Sequence, residues 1–282
     1  FVYNHYLAKR IEAYRDAKET ISIYACMRDM TKLKSSLEWL READATALQS
    51  ALGNLDFAYK NFFRRVKAGE KPGFPRFKSK RDRRKSYKSK RVGTNIKVLE
   101  KSVQLPKLGH VRAAISRQIE GRILSATVSP NPSGKYFVSI CCTDVEVEPL
   151  PKTGSAVGID LGLKHFAIAS DGRKFENHRY LAKSQKKLVR LQRGLSRKPK
   201  DSKNREKARL KVARQHEKIS NQRNDTLHKL STSLVRDYDV ISLETLAPRN
   251  MVKNRRLARS ISDASWAEFA RQDEEMFHLM EG

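Results

Sequence analysis

Apolar residues recur at helical spacing through the first 66 positions. Tyr3, Leu7 and Ile11 share one face, and Leu48, Leu52, Leu55 and Phe62 share another, so the pattern predicts a small helical bundle over 1–66. Asp44 is placed to cap the helix that carries Leu48, and Lys60, Arg64 and Arg65 fall in its last turn, where cations suit the helix dipole. Gly69, Pro72, Gly73 and Pro75 end the periodicity. Short alternating runs follow at 96–99, 103–105, 110–114, 123–129 and 136–143, punctuated by Pro106, Gly109, Gly121 and the stretch 130–134. They predict a small antiparallel barrel or curved sheet over 67–150.

Pro149 and Pro151 mark a boundary, after which 157–172, VGIDLGLKHFAIASDG, reads as two strands closed by the turn at Asp171 and Gly172. Asp160 is predicted to be a buried carboxylate at the end of the first strand. Residues 181–236 read as a helical hairpin, with Leu188, Leu191 and Leu195 on one arm and Ile219, Leu227, Leu230 and Leu234 on the other, joined by a basic connection at 197–207. A last short β-rich run, 238–244, ends in Glu244.

Charge changes the picture most. Among 282 residues, 59 are Lys or Arg and 31 are Asp or Glu, a formal net charge of +28. Self-repulsion on that scale destabilises a compact chain unless a polyanion neutralises it, which points to nucleic acid. Ten of the sixteen residues at 76–91 are basic, with Phe77 and Tyr87 interleaved. Arg76, Lys78, Lys80, Arg81, Arg83 and Arg84 are candidate phosphate contacts there, and Tyr87 a candidate stacking residue. On the hairpin and beyond it, Lys186, Lys187, Arg190, Arg193, Arg214, Arg223, Arg255 and Arg256 are further candidates. Membrane binding is not expected, because no apolar run reaches about 18 residues and no signal peptide is recognisable. Cys26, Cys141 and Cys142 lack metal-ligand spacing, so neither a zinc site nor a disulfide framework is expected, and a reducing compartment fits.

Asp160 and Glu244 are the candidate chemistry. Two strands that each end in a carboxylate can bring those groups together in a mixed sheet, where a divalent ion between them would clamp a phosphate and activate water. The alternative, that Asp160 caps a turn and Glu244 starts a helix, stays open on spacing alone.

Several stretches together resemble the TnpB (OrfB) proteins of insertion sequences, RNA-guided DNA nucleases related to the type V CRISPR effectors. They are FVYNHYLAKR at 1–10, ALQSALGNLDFAYKNFFR at 47–64, KPGFPRFKSKR at 71–81, VQLPKLGHV at 103–111, GIDLGLKHFAIASDG at 158–172, ISNQRNDTLHKLSTSLV at 219–235, and ISLETL with NRRLARSISDASWAEF at 254–269. The resemblance implies a multidomain α+β architecture: a helical recognition domain (1–66), a wedge-like β-barrel with a basic arm (67–150), and a RuvC domain of RNase H-like mixed α/β fold with an inserted helical hairpin (151–282). It implies that Asp160 and Glu244 match the first two RuvC carboxylates and hold magnesium or manganese. It also implies a guide RNA, a double-stranded DNA target, and a cytoplasmic, nucleoid-associated setting in a prokaryote. Gln49, and after it Tyr24, fall where the resemblance implies contacts to the short duplex motif that flanks the target, and Gln can pair bidentately with adenine in the major groove.

The sequence departs from the family at both ends. It opens at Phe1 inside a helical pattern, without the family's first strand, and so reads as a fragment. After Gln272 the family's zinc ribbon and third Asp motif are replaced by DEEMFHLMEG. Asp263 and Asp273 lie outside that third motif's context. Three readings follow: a nuclease lacking its C-terminal piece and cleaving poorly as it stands, a repressor-like RNA-guided DNA binder without nuclease activity, and a plain basic RNA-binding protein.

Overall fold

A computed structural model describes residues 1–79, 85–146, 148–244 and 246–281. The chain divides into two compact units, Phe1–Val145 and Glu146–Gly282.

In the first unit, three helices, α1 (Val2–Ala17), α2 (Ile23–Ser36) and α3 (Ala45–Lys67), enclose a core of Tyr6, Leu7, Cys26, Met30, Leu40, Leu52 and Leu55. The apolar positions fall three and four apart, so each helix turns one stripe inward. Ser22 and Asp44 cap α2 and α3, accepting from the Ala25 and Ala47 N–H. Asp44 does more than the sequence implies. Its Oδ2 also accepts from Thr46 Oγ1 at 2.6 Å and from the buried Ser89 Oγ at 2.7 Å, and so joins the helices to the first strand. Burial pushes the Asp44 carboxyl up, but the hydroxyl and N–H donors outweigh it and hold the group below the usual range.

Strands follow in two antiparallel sheets. The order in one is β1 (Tyr87–Lys90), β5 (Arg122–Pro130), β6 (Tyr136–Thr143), and in the other β2 (Lys97–Leu99), β3 (Ser102–Leu105), β4 (Gly109–Arg112). They share a core of Ile96, Val103, Leu105 and Ala126. The expected barrel is corrected here: among the described residues neither sheet closes. A barrel needs every strand paired on both sides, whereas the three- and four-residue strands β2, β3 and β4 pair only among themselves. Gly121 precedes β5 at φ +72°, where a Cβ would lie 2.2 Å from the Thr143 carbonyl oxygen, so only glycine fits the approach. The basic stretch at 76–91 is not a free arm throughout. Its end forms β1, with Tyr87 half-buried opposite Val128.

The second unit is built on a four-stranded mixed sheet. Its strands are β7 (Ala156–Leu161), β8 (His165–Ala169), β9 (Lys174–Glu176) and β10 (Val240–Leu243), in the order β10-β7-β8-β9. β9 has no counterpart in the hydrophobic pattern, because three residues are too few to show alternation. The helices α4 (Tyr180–Ser196) and α5 (Lys203–Asp237) form the hairpin between β9 and β10. α6 (Pro248–Met251), α7 (Ala258–Ala264) and α8 (Trp266–Glu281) follow. Val157, Ile159 and Leu161 of β7 pack with Leu227, Leu230 and Leu234 of α5 and with Ile261, Trp266 and Phe269. Strand periodicity then sends Gly158 and Asp160 to the opposite face.

Candidate metal centre and nucleic-acid interface

β10 runs parallel to β7, with Ser242 opposite Gly158 and Leu243 opposite Ile159. Glu244 is the next residue along, at the end of the chain direction that β7 reaches with Asp160. Ile241 and Leu243 pack toward the core, so Ser242 and Glu244 share the outer face with Gly158 and Asp160. On the other side of β7, Asp160 pairs with Ile168 of β8. These residues line one open cleft of about 460 Å³ whose wall includes Gly158, Asp160, Ile168, Ser170, Ser242 and Glu244. Gly158 leaves the floor bare, and its N–H donates to Ser170 Oγ at 3.1 Å.

Both carboxylates are exposed, which corrects the expectation that Asp160 is buried. The apolar neighbours in sequence, Ile159 and Leu161, point the other way. The register that brings the two strands together is pinned at their entry. Asp239 accepts from the N–H of Thr153 at 2.9 Å and of Gly154 at 2.8 Å, and the Asp239 N–H donates to the Ser155 carbonyl at 2.9 Å. Those backbone donors hold the Asp239 carboxyl below the usual range. The sequence reading missed Asp239, which had no signal beyond its place before a strand.

The donor set suits a hard cation. Carboxylate oxygens facing an open, wetted cleft match magnesium or manganese, which keep several waters in their shell. Among the described residues no group of three or more His, Cys, Asp and Glu is arranged to hold a metal, and the carboxylates lining this cleft are Asp160 and Glu244.

Asp263 lies elsewhere and serves another purpose. It is buried on α7, and its two oxygens accept from the N–H of Leu181 at 2.9 Å and of Ala182 at 3.1 Å. Arg179 precedes α4 in the left-handed region and offers no side-chain cap, so Asp263 caps that helix from a distance in sequence. Asp273 is also buried, with its Oδ1 unpartnered among the described residues, and burial raises its carboxyl to about 6.

The basic candidates divide. Lys186, Lys187, Arg190 and Arg193 on α4, Arg214 on α5, and Arg255 and Arg256 after α6 are exposed. Arg223 is not free: its Nη1 donates to Ser265 Oγ at 2.7 Å and its Nη2 lies 3.7 Å from Asp263. This corrects its assignment as a surface phosphate contact, because the apolar seam of α5 turns it inward. In the first unit Arg76 and Lys78 are exposed, and the Lys78 ammonium sits 4.4 Å over the Tyr3 ring. Lys80, Arg81, Arg83 and Arg84 lie outside the described residues. Tyr24 on α2 and Gln49 on α3 are both exposed.

The family model described as probable transposase, OrfB_IS605, matches residues 139–255, a stretch that contains both Asp160 and Glu244. A putative RNA-guided DNA endonuclease of Streptomyces pristinaespiralis is 36% identical over 272 residues, 95% of this chain and 66% of its own. The putative RNA-guided DNA endonuclease InsQ of Escherichia coli (strain K12) is 36% identical over 289 residues, 96% of this chain and 70% of its own. This chain therefore spans about two thirds of the length of these relatives. A cryo-EM structure of a Cas12f1-sgRNA-target DNA complex aligns with 96% of this chain and 75% of that one at 13% identity, with a TM-score of 0.26, too loose to define a shared fold. The chain belongs to the TnpB (OrfB) family of insertion-sequence proteins, as 36% identity to two relatives over 95% and 96% of its own length, together with the family model, shows. No helix among the described residues is long and apolar enough to cross a membrane.

Proposed function

We propose that this chain is an RNA-guided DNA-binding protein from a metal-dependent DNA endonuclease lineage. One observation carries the reading: Asp160 and Glu244 end two parallel neighbouring strands and line the same open cleft. Paired carboxylates at the ends of adjacent strands in a mixed sheet support an RNase H-like, RuvC-type assignment of the second unit. Asp160 and Glu244 would hold magnesium or manganese there. When bound, such an ion neutralises phosphate charge and makes a water acidic enough to attack. The two side chains keep the cleft acidic and wet. The exposed cations of α4 and α5 hold the polyanion by charge and shape, while base pairing with the guide RNA supplies sequence selection.

Among the described residues the cleft is lined by two carboxylates, few for two-metal cleavage, and this favours a chain that binds DNA with its guide but cuts it poorly. The test is a guide-loaded binding and cleavage assay on the 282-residue chain. Guide-dependent binding with little cutting supports the reading. RNA binding without any guide-dependent binding of DNA would instead support a plain basic RNA-binding protein.

A further inference from the structure

α3 runs beyond the core it serves. Its apolar stripe begins with Leu48, Leu52 and Leu55 against α1 and α2, then continues three and four residues at a time through Tyr59, Phe62, Phe63 and Val66. There the cover ends, with Phe63 62% and Val66 49% exposed. The turn at 69–73 brings back Phe74, which is 47% exposed and meets Tyr59 and Phe62 edge-to-face at centroid distances of 5.7 and 5.3 Å. Tyr59 and Phe63 stack nearly parallel, 23° apart, and Arg10 lies 5.3 Å over the Tyr59 ring. The result is a ring cluster packed from beneath and open above.

Its rim is cationic. From 56 to 78 the chain has seven Lys and Arg and two acids, Asp56 and Glu70. Arg64 and Arg65 approach Glu70 only at 3.8 and 3.9 Å, at exposed positions where such pairs contribute little. Apolar rings inside a positive border fit a polyanion that also presents flat apolar faces. Duplex nucleic acid hides those faces in its own stack, and cellular DNA must be melted to show them. Single-stranded RNA offers them without that step.

We propose that Phe63 and Phe74, bordered by Arg64, Arg65 and Lys67, form a stacking platform for unpaired RNA bases. The site deepens the RNA-binding half of the function proposed above and does not draw on the carboxylate cleft.

The test uses the intact chain and a fluorescein-labelled oligouridylate. Phe63→Ala and Phe74→Ala each weaken binding about tenfold, the scale of one base on one ring. The salt slope stays unchanged, since no cation is removed. Phe63→Tyr binds as the parent does, and Phe63→Leu loses as much as Phe63→Ala, because stacking needs a π face. Phe57→Ala, at an exposed ring about 120° around α3 from Phe63, changes nothing. Crosslinking of a 5-iodouridine oligomer, mapped by mass spectrometry, places the base on Phe63 or Phe74 without any substitution. Wild-type affinity in Phe63→Leu would overturn the proposal in favour of an apolar protein segment. Equal sensitivity with an oligodeoxyuridylate or with duplex RNA would overturn the assignment to unpaired RNA. Failure of the parent chain to bind RNA at all would sink the proposed function as well, whereas RNA binding untouched by the ring variants would sink the platform alone.

Discussion

Arg223 of α5 and Asp263 of α7 face each other at 3.7 Å, and the same Asp263 carboxylate caps the first turn of α4. One buried acid therefore ties both arms of the basic hairpin to the helix that covers the sheet. Asp263→Ala is expected to destabilise the second unit by about 2 kcal/mol, the range of a lost helix cap with a buried donor left unpaired. Asp263→Asn retains part of that. Urea denaturation measures it, and an unchanged midpoint for Asp263→Ala would remove the capping role. Divalent-ion affinity stays at the parent value in both.

Asp160→Asn and Glu244→Gln are expected to act the other way round. Both side chains are exposed on the cleft, so melting temperatures hold while Mn2+ affinity, followed by water-proton relaxation, drops in each. If either variant bound Mn2+ as tightly as the parent, that carboxylate would not be a ligand.

The cutting of DNA is expected to depend on a further carboxylate. Appending the C-terminal segment with the third Asp motif that the family resemblance implies should produce magnesium-dependent cleavage that Asp160→Ala abolishes. Vigorous guide-dependent cleavage by the 282-residue chain alone would show that its own residues complete the site.

Asp273 gives a stability change with pH. Its folded carboxyl titrates at about 6 because burial penalises the charge, while the unfolded group titrates near the ordinary value of 3.8. The unfolded chain therefore releases its proton first as pH rises, and stability is lost between about pH 4 and pH 6, by about 3 kcal/mol across the whole window. Below that window the contribution is fully present. Asp273→Asn should remove this part of the pH profile. Parallel profiles for the two proteins would show that the carboxyl is not buried in solution.

RNA affinity is expected to fall steeply with salt. Neutralising Lys186, Lys187, Arg190 and Arg193 of α4 together should make the slope of log affinity against log salt shallower, by up to about one for every phosphate these side chains had neutralised. Gln49→Ala, by contrast, should leave the slope alone and relax the preference for sequence flanking the target. A slope unaffected by the α4 changes would mean that this face is only solvated.

The sequence by itself determined the elements whose signal is local. The helical stripe from Leu48 to Leu55, the Asp44 cap, the turn at Asp171 and Gly172, and the leucine seam of the hairpin could each be read from a few neighbouring residues, because helix and turn patterns repeat over short distances. The family was legible for a similar reason, since its motifs lie in order along the chain. Only tertiary structure decided the rest. That the sheets of the first unit stay open, and that Asp160 faces water while Ile159 and Leu161 face helices, depends on which strands meet and in what register. The roles of Asp263, Arg223, Ser89 and Asp239 rest on partners tens of residues away, and a side chain's sequence neighbours say nothing of the backbone N–H or hydroxyl that the fold will bring to it.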